Sequence, residues 1–365
     1  METKENHKFY TQLEGLRGIA VLMVLTSHFI IMKNFPGLKF LELGFWGVNI
    51  FFVLSGFLIT EILLKEIYAN NSAKDILRRF YLKRTLRIFP IYYLIIILLA
   101  IFKVGGTESA LKWSLTYTLN IQEIWFGGIP NVIFHFWSLC VEEQFYIIWP
   151  FLLLLVPSFF HKRIILFILF GAALLRFCFA YWQVKNYISF NHDSMFTCMD
   201  ALGTGALLAY LKLNEPERLK KILERFWVPL LLISSFFLIS YYSIKYEIVM
   251  QSLGRLVCAF TGFYLVGWGA MHIETRLGKV FENPAARYVG KISYGVYLFH
   301  WILYFLYAKQ FSEWFKGFFK GKSTLIYFNT WFFTFIVFVL ATIAVASLSY
   351  YLIEKPLLRL KSRIS

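Results

Sequence analysis

FWSLCVEEQFYIIWPFLLLL, residues 136–155, sets two adjacent carboxylates, Glu142 and Glu143, in a run otherwise suited to hydrocarbon. At about 1.5 Å per helical residue such a run is long enough to cross roughly 30 Å of bilayer core. A charged side chain at the bilayer centre costs on the order of 2 to 3 kcal/mol on insertion scales, so it usually faces a protein interior and serves a function there. The stretch therefore predicts one spanning helix among several, with partners waiting for its carboxylates. Adjacent residues on a helix point about 100° apart, so the two carboxylates are expected to have different roles. One would turn into the bundle beside Ser138 and Tyr146, and the other would face a neighbouring helix or water. A purely structural polar clamp between helices is the competing reading.

The rest of the chain agrees with a membrane as solvent. It has 365 residues, 59% hydrophobic and 20% aromatic with only 16% charged, outside the range of ordinary soluble domains. Apolar runs recur from end to end and predict about ten transmembrane helices, at 14–32, 44–65, 87–103, 134–156, 163–181, 197–212, 227–243, 251–271, 291–309 and 325–352. The fold class is all-α: a polytopic integral membrane bundle forming one domain over 1–365. The apolar patch Leu111 to Ile121 is too short to span and reads as an interfacial or re-entrant piece. An even number of spans puts both termini on one side, and that side collects about 25 of the Lys and Arg residues against about 10 opposite, with Arg176 and Arg255 inside spans. By the positive-inside rule the termini are cytoplasmic. Topology and attraction to anionic lipid account for most of the net charge of +16 and leave little of it for nucleic acid.

Other features narrow the function. Cys140, Cys178, Cys198 and Cys258 all fall within spans without metal-ligand spacing and read as small buried hydrophobes, so no metal is expected. Lys4, Lys8 and Arg17 precede the first apolar run, but no small-residue cleavage site follows, so that run is kept as a span. In SAKDILRRFYLKRTLRIFP, residues 72–90, Ser72 and Asp75 have the spacing of a capping box, and the basic residues behind them suggest a helix lying on the cytoplasmic surface. Apart from Pro150, the prolines fall in loops or near span ends, which weighs against the paired broken helices of many transporters.

Polar residues inside the spans mark candidate sites. Arg17 and His28 stand eleven residues apart, within about 20° of one helix face and roughly 16 Å along it. His28 and Glu142, on antiparallel spans, reach a similar depth. A histidine with a nearby carboxylate to orient it is what a general base requires, although a lone intramembrane histidine also serves as a helix-to-helix hydrogen-bond donor. His300 lies near mid-membrane. Ser55, beside Gly56, reads as close helix packing. His135, His192, Asp193, Arg176, Asp200 and Arg255 map toward the outer side, where Trp137 and Trp182 could stack on a sugar ring.

These pieces, in order, resemble one family. TQLEGLRGIAVLMVLTSH at 11–28 gives an Arg, ten residues, then a His; GVNIFFVLSGFLIT follows at 47–60, then YLKRTLRIFPIYY at 81–93 with Arg84 and Arg87 in an RxxR, then FWSLCVEEQFYIIWP, DALGTGALLAYL at 200–211, ISYGVYLFH at 292–300 and YYLIEKPL at 350–357. Over nearly its whole length the chain resembles the acyltransferase-3 family of bacterial membrane proteins, which O-acylate surface polysaccharides, peptidoglycan and other hydroxylated acceptors. The resemblance implies a multi-pass protein of the bacterial inner membrane that takes an acyl group, usually acetyl, from acyl-CoA. Because the sequence stops just after the last span, transfer without a fused esterase-like domain is expected.

The residues supply a rationale for that chemistry. CoA is polyanionic, and arginine forks bind phosphates in a bidentate manner, so Arg17, Arg84 and Arg87 are the expected donor-binding residues. His28 would deprotonate an acceptor hydroxyl, with Glu142 or Glu143 orienting and stabilising its ring. His300, Asp200, Arg176, Arg255 and Trp137 would line the acceptor pocket for a glycan, lipid-linked sugar or similar metabolite. A covalent variant would place the acyl group on Ser55, Ser138, Cys140 or His28. GxSxG, HExxH and Walker signatures are missing. The alternative from another class is a transporter or flippase of a lipid-linked or exported sugar that uses the same buried charges as a path.

Overall fold

The computed structural model describes residues 11–32, 41–182, 186–243, 249–271, 273, 276–318 and 324–361. Among the described residues every regular element is helical. The principal helices are α1 (Thr11–Met32), α2 (Leu43–Tyr68), α3 (Ala73–Ile101), α4 (Trp137–Leu155), α5 (His161–Tyr181), α6 (Met195–Asn214), α7 (Trp227–Ser243), α8 (Arg255–Ala270), α9 (Pro284–Lys291), α10 (Ser293–Phe318) and α11 (Thr324–Ser349). Seven helical segments among the described residues are long and apolar enough to cross a membrane; an eighth arises if Pro216–Leu223 and Trp227–Tyr241, bent by 60°, form one span. Large apolar side chains left open on the surface, such as Leu155, Leu230 and Leu352, are what a lipid-facing exterior requires and a water-facing one avoids.

The predicted surface helix at 72–90 and the span that follows it are one continuous helix, α3. Ser72 caps it as its spacing predicts, its hydroxyl oxygen accepting the Asp75 backbone N–H at 3.1 Å. Pro90 sits inside the helix; it leaves one carbonyl of the preceding turn without its backbone donor but does not end the helix. The segment expected to be interfacial forms short helical turns, Val104–Ala110, Leu111–Leu115 and Leu119–Trp125. Gln144 of α4 pins it, donating to the Tyr117 carbonyl at 2.9 Å and to Asn120 Oδ1 at 2.8 Å.

Small residues bring the helices that carry the site close together. At the α2–α6 crossing, a Cβ on Gly56 would lie 1.9 Å from the Leu202 carbonyl oxygen, and one on Gly205 would lie 2.0 Å from that of Val53. At the α1–α9 crossing the same holds for Gly18 against Ala286 and Gly290 against Glu14. With no hydrophobic drive between helices in lipid, such backbone-to-backbone contact is a main source of association. It holds α1 against α9 and α2 against α6.

Replacing Gly56 with Ala is therefore expected to lower the thermal midpoint of the detergent-solubilised protein, by the equivalent of about 1 to 3 kcal/mol. Gly171 in α5 has nothing within 4 Å of its would-be Cβ, so Gly171→Ala should leave the midpoint unchanged or raise it. Equal effects of the two substitutions would refute the packing argument.

Candidate functional site

Two cavities lie along α1, α2, α4 and α10, and most of the residues named from sequence divide between them. The first, about 90 Å³, is lined by Arg17 of α1, Ser55 of α2, Arg84 and Arg87 of α3, Glu142, Glu143 and Tyr146 of α4, and Tyr294 of α10, among others. Three guanidinium groups thus share a cavity with two carboxylates, leaving a surplus of positive charge that suits an anionic ligand. Arg17 donates to Ser293 Oγ at 3.2 Å, and the Arg84 guanidinium lies 5.0 Å from the centre of the Tyr146 ring.

Glu142 does not orient His28. Its Oε1 accepts from Ser55 Oγ at 2.9 Å, and Tyr146 lies within hydrogen-bond reach of both Ser55 Oγ (3.0 Å) and Glu142 Oε2 (3.2 Å). Ser55, read from sequence as a packing residue, is thus part of a polar cluster with the carboxylate. Glu143 lines the same cavity and is 6% exposed. Both carboxylates face the arginines because these are the cations that α1 and α3 bring to the same depth.

The second cavity, about 410 Å³, contains His28, His135, Trp137, Arg176, His192 and Arg255, together with Glu42 and Trp301. Here the partner of His28 is another histidine: Nδ1 of His28 lies 2.8 Å from Nε2 of His300, with the rings stacked at 10°. Nδ1 of His300 lies 2.7 Å from the Tyr297 carbonyl oxygen. A carbonyl can only accept, so His300 Nδ1 carries the proton and its neutral ring offers Nε2 as an acceptor. His28 Nδ1 must then be the donor, which leaves the lone pair of His28 on Nε2. Among the described residues that nitrogen has no hydrogen-bond partner. The sequence points to a carboxylate as the orienting group; the structure supplies an imidazole and a carbonyl.

Asp200 is a correction. It is completely buried and does not line the cavity; instead its Oδ2 accepts from Arg176 at 2.5 Å. That pair holds α5 against α6 and presents Arg176 to the cavity. Arg255 is held by Cys198 Sγ at 2.9 Å and the His192 carbonyl at 2.8 Å, with Phe45 and Phe52 near its face. Trp137 packs against His192, their ring centres 4.6 Å apart, whereas Trp182 is 68% exposed and takes no part in either cavity. His300 backs His28 rather than lining the wall. His28, His135 and His300 lie close together, yet among the described residues no three His, Cys, Asp or Glu side chains form a group that could hold a metal.

Tyr297 is the residue that sequence reasoning missed. It lines both cavities, as does Val48. Its place three residues before His300 in ISYGVYLFH, one helical turn away, was the available signal.

Breaking the Arg176–Asp200 pair with Asp200→Asn should cost about 3 to 5 kcal/mol of stability, because it strands a buried guanidinium. Thermal unfolding in detergent measures it, and an unchanged midpoint would mean that the pair is not a structural tie.

Comparison with known proteins points the same way as this geometry. The sequence pattern of the acyltransferase domain matches residues 10–351. A peptidoglycan O-acetyltransferase of Listeria monocytogenes is 30% identical over 325 residues, which cover 82% of this chain and 50% of that protein. A Bacillus subtilis protein named as a candidate peptidoglycan O-acetyltransferase is 29% identical over 379 residues, 97% of this chain and 55% of its own length. A candidate O-acetyltransferase of Staphylococcus aureus is 29% identical over 328 residues, 80% of this chain and 50% of its own length. The chain spans about half the length of these curated relatives. No solved structure matches it. With a match that runs almost end to end through an all-helical, membrane-capable bundle, the chain belongs to the acyltransferase-3 family.

Proposed function

We propose that the protein is a multi-pass bacterial inner-membrane O-acyltransferase of about ten spans with both termini cytoplasmic, moving an acetyl group from cytoplasmic acyl-CoA to a hydroxyl of an extracytoplasmic glycan. The observation that carries this reading is the pairing of the two cavities: one rich in arginine, the other holding a histidine whose Nε2 has no hydrogen-bond partner among the described residues, with Tyr297 and Val48 lining both. The names of the relatives favour peptidoglycan or a related glycan as acceptor.

In this scheme Arg84 and Arg87 hold the donor's phosphates, with Arg17 deeper along its arm, and the donor supplies an acyl group activated as a thioester. The acceptor hydroxyl enters the second cavity while the sugar ring that carries it packs against Trp137. His28 Nε2 takes the hydroxyl proton as the oxygen attacks the acyl carbon, then returns it to the departing sulfur. His300 keeps the proton of His28 on Nδ1 and shares the positive charge that forms, a role that a carboxylate fills in the Ser-His-Asp arrangement. Glu142 and Ser55 shape the donor cavity.

His28→Ala should reduce transfer by about 10²-fold or more while donor binding persists, since general-base catalysis contributes on that scale. In the same assay His300→Gln, whose side-chain oxygen can accept from His28 Nδ1, should retain more turnover than His300→Ala; equal losses would remove the relay. Substituting Arg84 and Arg87 together with Ala should weaken acetyl-CoA binding by about tenfold or more, measured by titration, given about 1.5 to 3 kcal/mol for a charge-assisted contact. Unchanged affinity would reduce these arginines to topological anchors. Mass spectrometry of surface glycans with and without the gene identifies the acceptor.

A further inference from the structure

Donor and acceptor, held in separate cavities, must still meet. Val48 and Tyr297 are the residues that line both cavities. Val48 offers only a short aliphatic side chain, so the Tyr297 ring is the larger of the two shared side chains. That ring is pinned at its tip: its hydroxyl donates to the His135 carbonyl at 2.9 Å and, having spent its proton there, accepts from Ser138 Oγ at 2.5 Å. Ser138 itself lines the arginine cavity, and the Phe51 ring stands edge-on to Tyr297 at 6.5 Å. The backbone of the same residue is engaged as well, since its carbonyl accepts from His300 Nδ1 at 2.7 Å.

We propose that Tyr297 is a partition residue: its ring closes the passage between the arginine cavity and the histidine cavity, and transfer requires the ring to leave the Ser138–His135 clasp. This rests on the reading of the two cavities as donor and acceptor sites. The chemical reason for a partition is water. A thioester exposed to the larger cavity next to a free imidazole nitrogen would be hydrolysed, and closing a site against water is how enzymes suppress that loss. Because one residue supplies both the wall, through its side chain, and the anchor of the histidine relay, through its carbonyl, movement of the ring and alignment of His28 are mechanically linked.

Two measurements on the full-length chain test this. The first follows CoA release from acetyl-CoA with no acceptor added, in detergent. Tyr297→Ala should raise release by about tenfold while lowering transfer to acceptor; a variant that merely unfolds loses both. Ser138→Ala, which removes one half of the clasp and leaves the ring, should give a smaller rise of about two- to threefold. The second needs no donor: in a background where the native cysteines are replaced, Ser55→Cys reports access to the arginine cavity. A membrane-impermeant thiol reagent, applied from the face on which Glu42 lies, should label it about tenfold faster when Tyr297→Ala is also present. Unchanged labelling and unchanged CoA release, in variants whose thermal midpoints match the parent, would overturn the partition. Faster labelling in a protein that binds no acetyl-CoA would leave the partition standing and overturn the donor reading instead.

Discussion

A charge placed in hydrocarbon has no water to turn to, and the site follows from that constraint. Each buried cation or carboxylate must find its partner inside the bundle, at a cost of about 3 kcal/mol on insertion scales if it does not. Arg176 meets Asp200, Glu61 meets Lys65 and Lys212, and Glu142 meets two hydroxyls within reach of the arginines. Only a tightly packed set of helices can hold such partners at hydrogen-bond distance, and the glycine crossings at Gly56–Leu202 and Gly18–Ala286 provide it.

Pairing also explains why there are two cavities rather than one. The carboxylates are consumed at the depth of the arginines, where three cations demand them. Among the described residues no carboxylate is hydrogen-bonded to His28, and its orientation comes from a neutral chain of His300 and a backbone carbonyl. A neutral relay suits that depth: it fixes the tautomer without burying another charge. Its limitation is that a carboxylate would stabilise an imidazolium more strongly. Sharing the proton between two stacked rings partly offsets the difference.

Much of the architecture was legible in the sequence because hydropathy and helix length are local properties. The all-helical, membrane-capable bundle and the Ser72 cap followed from patterns within one stretch of chain, although seven or eight helical segments among the described residues, not ten, are long and apolar enough to cross a membrane. The pairings did not. A wheel places His28 and Glu142 at similar depths but says nothing about which way α4 turns, so either glutamate could serve the histidine on that reading, whereas Glu142 is bonded to Ser55. Asp200 and Arg176 both read from sequence as polar residues of an outer pocket; that they neutralise each other depends on the α5–α6 packing. Tyr297 carried no charge to draw notice, and aromatic residues are too common here, at 20%, for one to stand out.

The spacing of the first helix gives the partition its meaning. Arg17 and His28 share a face of α1, separated by roughly 16 Å, so any donor gripped at the level of Arg17 must send its reactive end up that face to approach the imidazole. Ser55, Glu142 and Tyr297 line the cavity on that side, and the Tyr297 hydroxyl is fastened to Ser138 on α4 and to the His135 carbonyl just before that helix. α10 therefore faces both cavities: Ser293 holds Arg17 at one end, Tyr297 separates the cavities in the middle, and His300 aligns the base at the other. About two turns of one helix thus touch every stage of the proposed reaction. A shift of α10 along its axis would disturb donor grip, barrier and base together, which is why rigid packing of the neighbouring α1–α9 crossing matters to chemistry as well as to stability.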